Sequence, residues 1–160
     1  MTLQPNIVSK KSRKGATDFS CASCKNANCL IKKNLHNALN ATFVEQKKTL
    51  KCKKGQQFII EGAPVNGLFF ILQGTVKVFR TGINGREQIV RFAKEGEIIG
   101  HRGFGTEEYY SIGAIALQEV VLCYFSKDDL QEALLENPHF AYDMILFYAN
   151  ELNKSESKVK

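Results

Sequence analysis

Between Gly55 and Phe125 the chain is a series of short apolar runs separated by glycine, and no other feature of the sequence restricts the fold as strongly. The runs are FII (58–60), LFFIL (68–72), TVKVF (75–79), QIVRF (88–92), EII (97–99), IGAIAL (112–117) and VVLCYF (120–125). Strand-length runs at intervals of roughly 8–12 residues, with turn residues between them, predict a β-sandwich or barrel. A parallel sheet would need an amphipathic helix between successive strands, and no segment in this stretch can supply one. Asn84-Gly85 predicts a two-residue hairpin between the runs at Val76 and Ile89, because both residues tolerate positive φ.

The period changes on both flanks. Ser126-Lys127-Asp128-Asp129 has the residues of a capped helix start, and the helix it opens carries Leu130, Ala133 and Leu134 before stopping ahead of Pro138. Pro138 suits the first turn of a second helix, with His139 a surface residue at its start. There Ala141, Ile145, Tyr148 and Leu152 keep a 4-3-4 spacing, and Phe140, Met144 and Phe147 form a second apolar face. A helix apolar on more than half its circumference needs two partners. One is the β-structure; the other is most simply the same helix of a second copy, making a homodimer. Upstream, Leu35, Ala38, Leu39 and Phe43 predict a helix over 33–45. Lysines at 47, 48, 51, 53 and 54 then alternate with Leu50 and Cys52 in an edge-like strand, with Cys52 a core residue.

Charge is divided unevenly. Residues 1–60 hold 12 Lys or Arg against Asp18 and Glu45, whereas residues 61–160 hold 10 against 14. A basic front end can meet nucleic acid or a lipid surface. No aromatics interleave these lysines as a single-strand-binding surface requires, so residues 1–20 read as a flexible, solvated basic tail. No apolar run reaches the roughly 20 residues of a membrane span, and residues 1–20 lack the apolar core of a secretory signal. A cytoplasmic protein without membrane contact is expected. Five cysteines in such a chain point to metal or redox chemistry rather than a disulfide framework. Three of them, Cys21, Cys24 and Cys29, fall within CASCKNANC. With His36 they could form a tetrahedral Cys₃His zinc site.

A cysteine cluster, a short helix, a glycine-punctuated β region and a long terminal helix, in that order, resemble the sensor half of a Crp/Fnr-family transcription regulator. GAPVNGLFFILQGTVKVF carries the family's spacing: Gly62, five residues, four apolar positions from Leu68 to Ile71, then Gly74. Phe58 and Val65 depart from it, being larger than the residues usual there. The resemblance implies a mainly β fold, the double-stranded jelly-roll of cyclic-nucleotide-binding domains, followed by a dimerisation helix. It divides the chain into a tail (1–20), a cysteine-cluster segment (21–36), the roll (37–126) and terminal helices (127–154). In the family a DNA-binding helix-turn-helix domain follows that helix; it is absent from this chain, which on the resemblance is either a fragment of a longer regulator, with DNA met beyond Lys160, or one that has lost direct DNA binding.

The resemblance also frames two questions about the effector. Members that bind cyclic nucleotides use a cassette in which a glutamate holds the ribose and an Arg-Ser or Arg-Thr pair holds the phosphate. In GEIIGHRGFGTEEYYSIGAIA, His101 follows Gly100 where the glutamate belongs, and Tyr110 precedes Ser111 where the arginine belongs. Arg102 is near but out of position. A buried phosphate needs a cation and fixed donors, so this degenerate cassette argues against a cyclic nucleotide. The oxygen-sensing branch instead holds a [4Fe–4S] cluster on three N-terminal cysteines and a fourth on a late strand. Cys21, Cys24 and Cys29 match the first three, and Cys123 falls where the fourth would be. The interval from Cys24 to Cys29 is one residue shorter than in the best-known pattern. Cys123 between Val121 and Phe125 would equally suit a plain core position. No nucleophile elbow, P-loop or paired-carboxylate motif is present, and His36, His101 and His139 are too dispersed for a cupin-type metal site, so catalysis is not expected.

Overall fold

Alternating apolar runs can share a core only if their sheets face one another, and that is the arrangement found. The computed structural model describes residues 6–8, 21, 24–26, 29–34, 41–104 and 107–157. Its strands are β1 (Asn6–Val8), β2 (Lys48–Cys52), β3 (Gln57–Ile59), β4 (Gly67–Gln73), β5 (Val76–Thr81), β6 (Glu87–Ala93), β7 (Ile98–Ile99), β8 (Gly113–Ala116) and β9 (Val120–Ser126). They pair antiparallel in two sheets, ordered β1-β2-β9-β4-β7 and β3-β8-β5-β6. Between the sheets, Ile59, Phe69, Ile71, Val76, Leu122 and their neighbours form one core. On the outer face of the five-stranded sheet, Leu68, Phe70 and Phe125 pack under the helices with Phe43, Leu130 and Phe140. Burying each such side chain contributes about 1.5–3 kcal/mol. β4 and β9 lie so close at Gly67 that a Cβ there would collide with the Phe125 carbonyl oxygen.

The helices are α1 (Leu30–Lys33), α2 (Ala41–Glu45), α3 (Lys127–Glu136) and α4 (Pro138–Ser157), with a 3₁₀ turn at His101–Gly103. Ser126 caps α3, its hydroxyl accepting from the Asp129 amide at 3.2 Å. The Asn137 side chain in turn accepts the Phe140 amide at 3.1 Å and opens α4, with Pro138 as its first residue.

Four expectations need correction. The helix expected over 33–45 is interrupted: among the described residues α1 stops at Asn34, whose side chain donates to the Leu30 carbonyl and to Asp143 on α4, and α2 begins at Ala41. Leu35, His36, Ala38 and Leu39 lie outside the described residues. β2 is not an edge, because β1 pairs along it from within the stretch read as a tail; the other residues of 1–20 lie outside the described set. The β5–β6 connection is wider than a two-residue turn. It spans residues 82–86, closed by Gly82 N–H to Arg86 O at 2.8 Å, although Gly85 does take positive φ (73°). Finally, α4 runs on to Ser157, beyond the expected end of the terminal helices.

Candidate functional site

Cys123 is placed by register. It pairs with Thr49 on β2 and Phe70 on β4, and the alternation along β9 turns it, with Phe125, to the sheet's outer face. There the loop before α1 covers it. Cys21, Cys24 and Cys29 line a single cavity with Cys123, enclosing about 40 Å³. The loop is fastened by Asn26, whose side-chain amide donates to the carbonyls of Ile71 and Leu72 at 3.3 and 3.1 Å. A bulge in β4 between Ile71 and Gln73 interrupts the register with β9 there, and Asn26 shares the Ile71 carbonyl with the Gly96 N–H, which reaches it at 2.8 Å. Cys29 is also the N-cap residue of α1, which ties the loop directly to that helix.

Among the described residues, the cavity's polar lining is its thiols, Asn26 and two cations. Among the described residues lining it, the charged side chains are Lys32 and Lys47, and none is a carboxylate. Lys47, just ahead of β2, is 6% exposed. Burial pushes the Cys123 thiol up to about 12; the Lys47 ammonium pulls it down, and the other three thiols add to the rise. Burial likewise raises Cys29, against the opposing amides of Lys32 and Ile31. Cys29 and Cys123 are therefore held as neutral thiols until a positively charged group enters, and thiolates are the ligands such groups select. This donor set fits an iron–sulfur cluster. The enclosed volume is room for only a few waters, so a cluster requires the loop to stand further from the sheet. Among the described residues, no three His, Cys, Asp or Glu side chains are drawn together around one metal ion. The fourth ligand of the Cys₃His alternative, His36, is outside those residues.

The degenerate cassette is also assembled in one place. Gly100, His101, Arg102, Tyr110 and Ser111 line a second cavity of about 30 Å³, far below the roughly 300 Å³ at which ligand pockets begin. Tyr110 closes it: the ring is 6% exposed and its hydroxyl donates to the Gly67 carbonyl at 2.9 Å. Arg91 reaches the cavity, but its guanidinium is held by Glu97 at 3.2 Å and the Ile98 carbonyl at 2.6 Å. Arg102 is exposed. Among the described residues lining this cavity, no side chain offers a cyclic phosphate an uncommitted, buried cation.

His101 turns away from the cassette, toward α4. It is 3% exposed, with Nε2 3.4 Å from the Glu151 carboxylate, and its ring meets Phe147 edge-on at 5.0 Å. The Tyr148 hydroxyl donates to the His101 carbonyl at 2.7 Å. Burial, with Arg91 assisting, lowers the imidazole to about 4 against the pull of Glu151. Burial also raises Glu151, yet His101, Lys154 and Arg91 together hold its carboxyl below the ordinary value. Nδ1 is buried without a hydrogen-bond partner among the described residues, so a proton there would find no acceptor. Geometry and electrostatics agree on a neutral ring.

The four α4 residues expected at a dimer interface, Ala141, Ile145, Tyr148 and Leu152, do not share one exposed face. Tyr148 is committed to His101 and Ala141 is half-buried, whereas Ile145 and Leu152 are 64% and 60% exposed. The exposed apolar stripe is Tyr142, Ile145, Ala149 and Leu152. Asn26, Lys47, Arg91 and Glu151 are the residues the sequence reading missed. Asn26 could have been suspected from its place within the cysteine loop. Lys47 could have been suspected from sharing the strand parity of Thr49, which faces Cys123.

Comparison with known proteins agrees with this geometry. The profile of the cyclic nucleotide-binding domain family matches residues 49–137. The chain is similar to Electron transport regulator A of Shewanella oneidensis, 26% identical over 162 residues, covering 99% of this chain and 63% of that protein. It is also similar to an Anaerobic regulatory protein of Pasteurella multocida, 24% identical over 156 residues, covering 95% and 56% respectively. The chain thus spans somewhat over half the length of these relatives. Among solved structures, the sensor domain of the transcriptional regulator DNR from Pseudomonas aeruginosa superposes with a TM-score of 0.67 at 19% identity, over 82% of this chain and 91% of that one.

Proposed function

The chain belongs to the cyclic nucleotide-binding domain family, and from that premise we propose that it is the sensor portion of a Crp/Fnr-type transcription regulator reading oxygen or redox state through an iron–sulfur cluster on Cys21, Cys24, Cys29 and Cys123. One observation carries the reading: three thiols of a single loop and a fourth from the roll line one cavity. When bound, the cluster supplies an oxygen- and electron-responsive centre. The protein's own residues do the rest. Asn26 holds the loop on β4, and Phe70, Ile71 and Phe125 line the cavity's apolar wall.

A route outward accompanies the site. Cys29 stands at the N-cap position of α1, its carbonyl accepting the Lys33 N–H at 3.0 Å, Asn34 ends the helix, and the Asn34 side-chain amide donates to Asp143 on α4 at 2.8 Å. A change of loop position therefore reaches the long helix through a single turn of α1. The exposed stripe of α4 would pair with its counterpart in a second copy, so that the helices could set the spacing of DNA-reading domains in a longer regulator. On this reading the filled cassette is a rigid part of the roll, and cyclic nucleotides are not the signal.

The test is anaerobic reconstitution with iron and sulfide. The wild type is expected to turn brown with broad visible absorbance, and Cys24→Ser to lose it. A colourless protein carrying zinc after the same treatment would overturn the proposal.

A further inference from the structure

A separate groove opens between the roll and α4. It encloses about 460 Å³, within the span of ligand pockets and far above the cassette cavity. Its walls are α1, the turn joining β6 to β7, and α4. Leu30, Ile98, Leu146 and Phe147 give it an apolar side, and Leu146 is left 45% exposed there. The charges around it sort into two groups. Some are matched within the chain: Arg91 meets Glu97 at 3.2 Å, and Lys154 meets Glu151 at 3.5 Å. The others form no ion pair among the described residues: Lys33 on α1, Lys94 and Glu95 on the turn, and Asp143 on α4. Glu95 is turned to the Gly74 N–H at 2.9 Å and feels Lys94 only through space. Asp143 is half-buried, and the donor that reaches it among the described residues, the Asn34 side-chain amide at 2.8 Å, is neutral.

A half-buried carboxylate gains from a cation, and an ammonium gains from an anion held beside it. Lys33 immediately precedes Asn34, so its flexible stem starts next to the Asp143 carboxylate, with Lys94 on another wall. Opposite charges on one groove, beside an apolar surface, match a molecule that carries both charges at one end and an apolar body at the other. We propose that the groove binds a free α-amino acid with an apolar side chain. Its ammonium is taken by Asp143, its carboxylate by Lys33 and Lys94, and its side chain by Leu146 and Phe147. A plain carboxylate would leave Asp143 unmatched, and a plain amine would leave the two lysines unmatched. The bound molecule joins α1 to α4 beside the Asn34–Asp143 contact, so it bears on α4 whether or not the cysteines hold a metal. Nothing in this site depends on the cluster.

The experiment is a titration of the full, isotopically labelled chain, followed by amide chemical shifts, with probes that share one phenyl body: L-phenylalanine, phenylpropanoate and phenylethylamine. L-Phenylalanine is expected to give saturable shifts centred on the Gly96, Leu146 and Phe147 amides. Each singly charged probe should bind about tenfold more weakly, the loss that goes with one charge-assisted contact. Asp143→Asn, which keeps an oxygen for the Asn34 amide, should weaken L-phenylalanine several-fold and leave phenylpropanoate unchanged. Lys33→Gln combined with Lys94→Gln should weaken L-phenylalanine and leave phenylethylamine unchanged. Lys53→Gln, an exposed lysine outside the groove, should change nothing. Absence of saturable shifts at the groove overturns the proposal. So does equal binding of all the probes, which marks apolar adsorption, or phenylpropanoate binding as tightly as the amino acid, which marks a simple anion site. Asp143 and lysine variants that keep a wild-type spectrum and bind L-phenylalanine undiminished overturn it as well.

Discussion

His101 makes the stability of this protein depend on pH in a window where few other groups titrate. Its ring is 3% exposed, and burial with the help of Arg91 lowers it from 6.5 to about 4. The neighbouring Glu151 favours the protonated ring, Arg102 disfavours it, and the balance still falls well below the unfolded value. A depressed histidine means that the unfolded chain binds the proton first. The contribution is thus fully present above about pH 6.5 and is lost as pH falls toward 4. The whole span amounts to about 3 kcal/mol, and roughly 2 kcal/mol of it disappears between about pH 7 and pH 5. That interval lies above the range in which Glu151, itself lowered, gains its proton. The assay is urea unfolding at the two pH values for the wild type and His101→Leu, which keeps an apolar body against Phe147. The wild type should lose about 2 kcal/mol more than the variant over this interval. Equal losses, or a wild type that gains stability on acidification, would show that His101 is not a buried neutral ring.

Three further outcomes follow from the same geometry. In the reduced, metal-free protein, Cys123 is raised from 9.0 to about 12, so stability is present below pH 9 and declines as pH rises beyond it; Cys123→Val should flatten that alkaline decline in thermal melts. Phe125 is 1% exposed and stacks on Phe43 with centroids 4.6 Å apart, so Phe125→Ala should cost about 3–5 kcal/mol in chemical denaturation. Ile145 is 64% exposed on α4, and Ile145→Glu should shift sedimentation toward the monomer without lowering the melting temperature.

The roll was legible because side-chain period and glycine position are local properties. Its strands are longer than their apolar runs where the hydrogen-bonded ladder continues past them, as at Arg80 and Thr81, whose side chains are exposed while their backbones still pair with β6. What escaped the sequence depends on distant partners. Asn26 binds carbonyls beside a bulge in β4, 45 residues away in sequence at Ile71. Tyr148 shares helical spacing with Ile145, but the His101 carbonyl draws it toward the roll. Lys47 looks like one of five similar lysines until the register of β2 against β9 sets it beside the thiols. The cysteines themselves were legible by type and by the remote match of Cys123; the sequence could not show that all four would line one cavity.

The central claim is that the roll supplies the fourth thiolate. Its most direct test is the iron and acid-labile sulfide content per chain after anaerobic reconstitution, compared between the wild type and Cys123→Ala. The account predicts iron and sulfide in equal amounts, matching one [4Fe–4S] unit per chain in the wild type, and a marked loss of both in the variant. Zinc without sulfide in the wild type, or a full complement retained in Cys123→Ala, would contradict it.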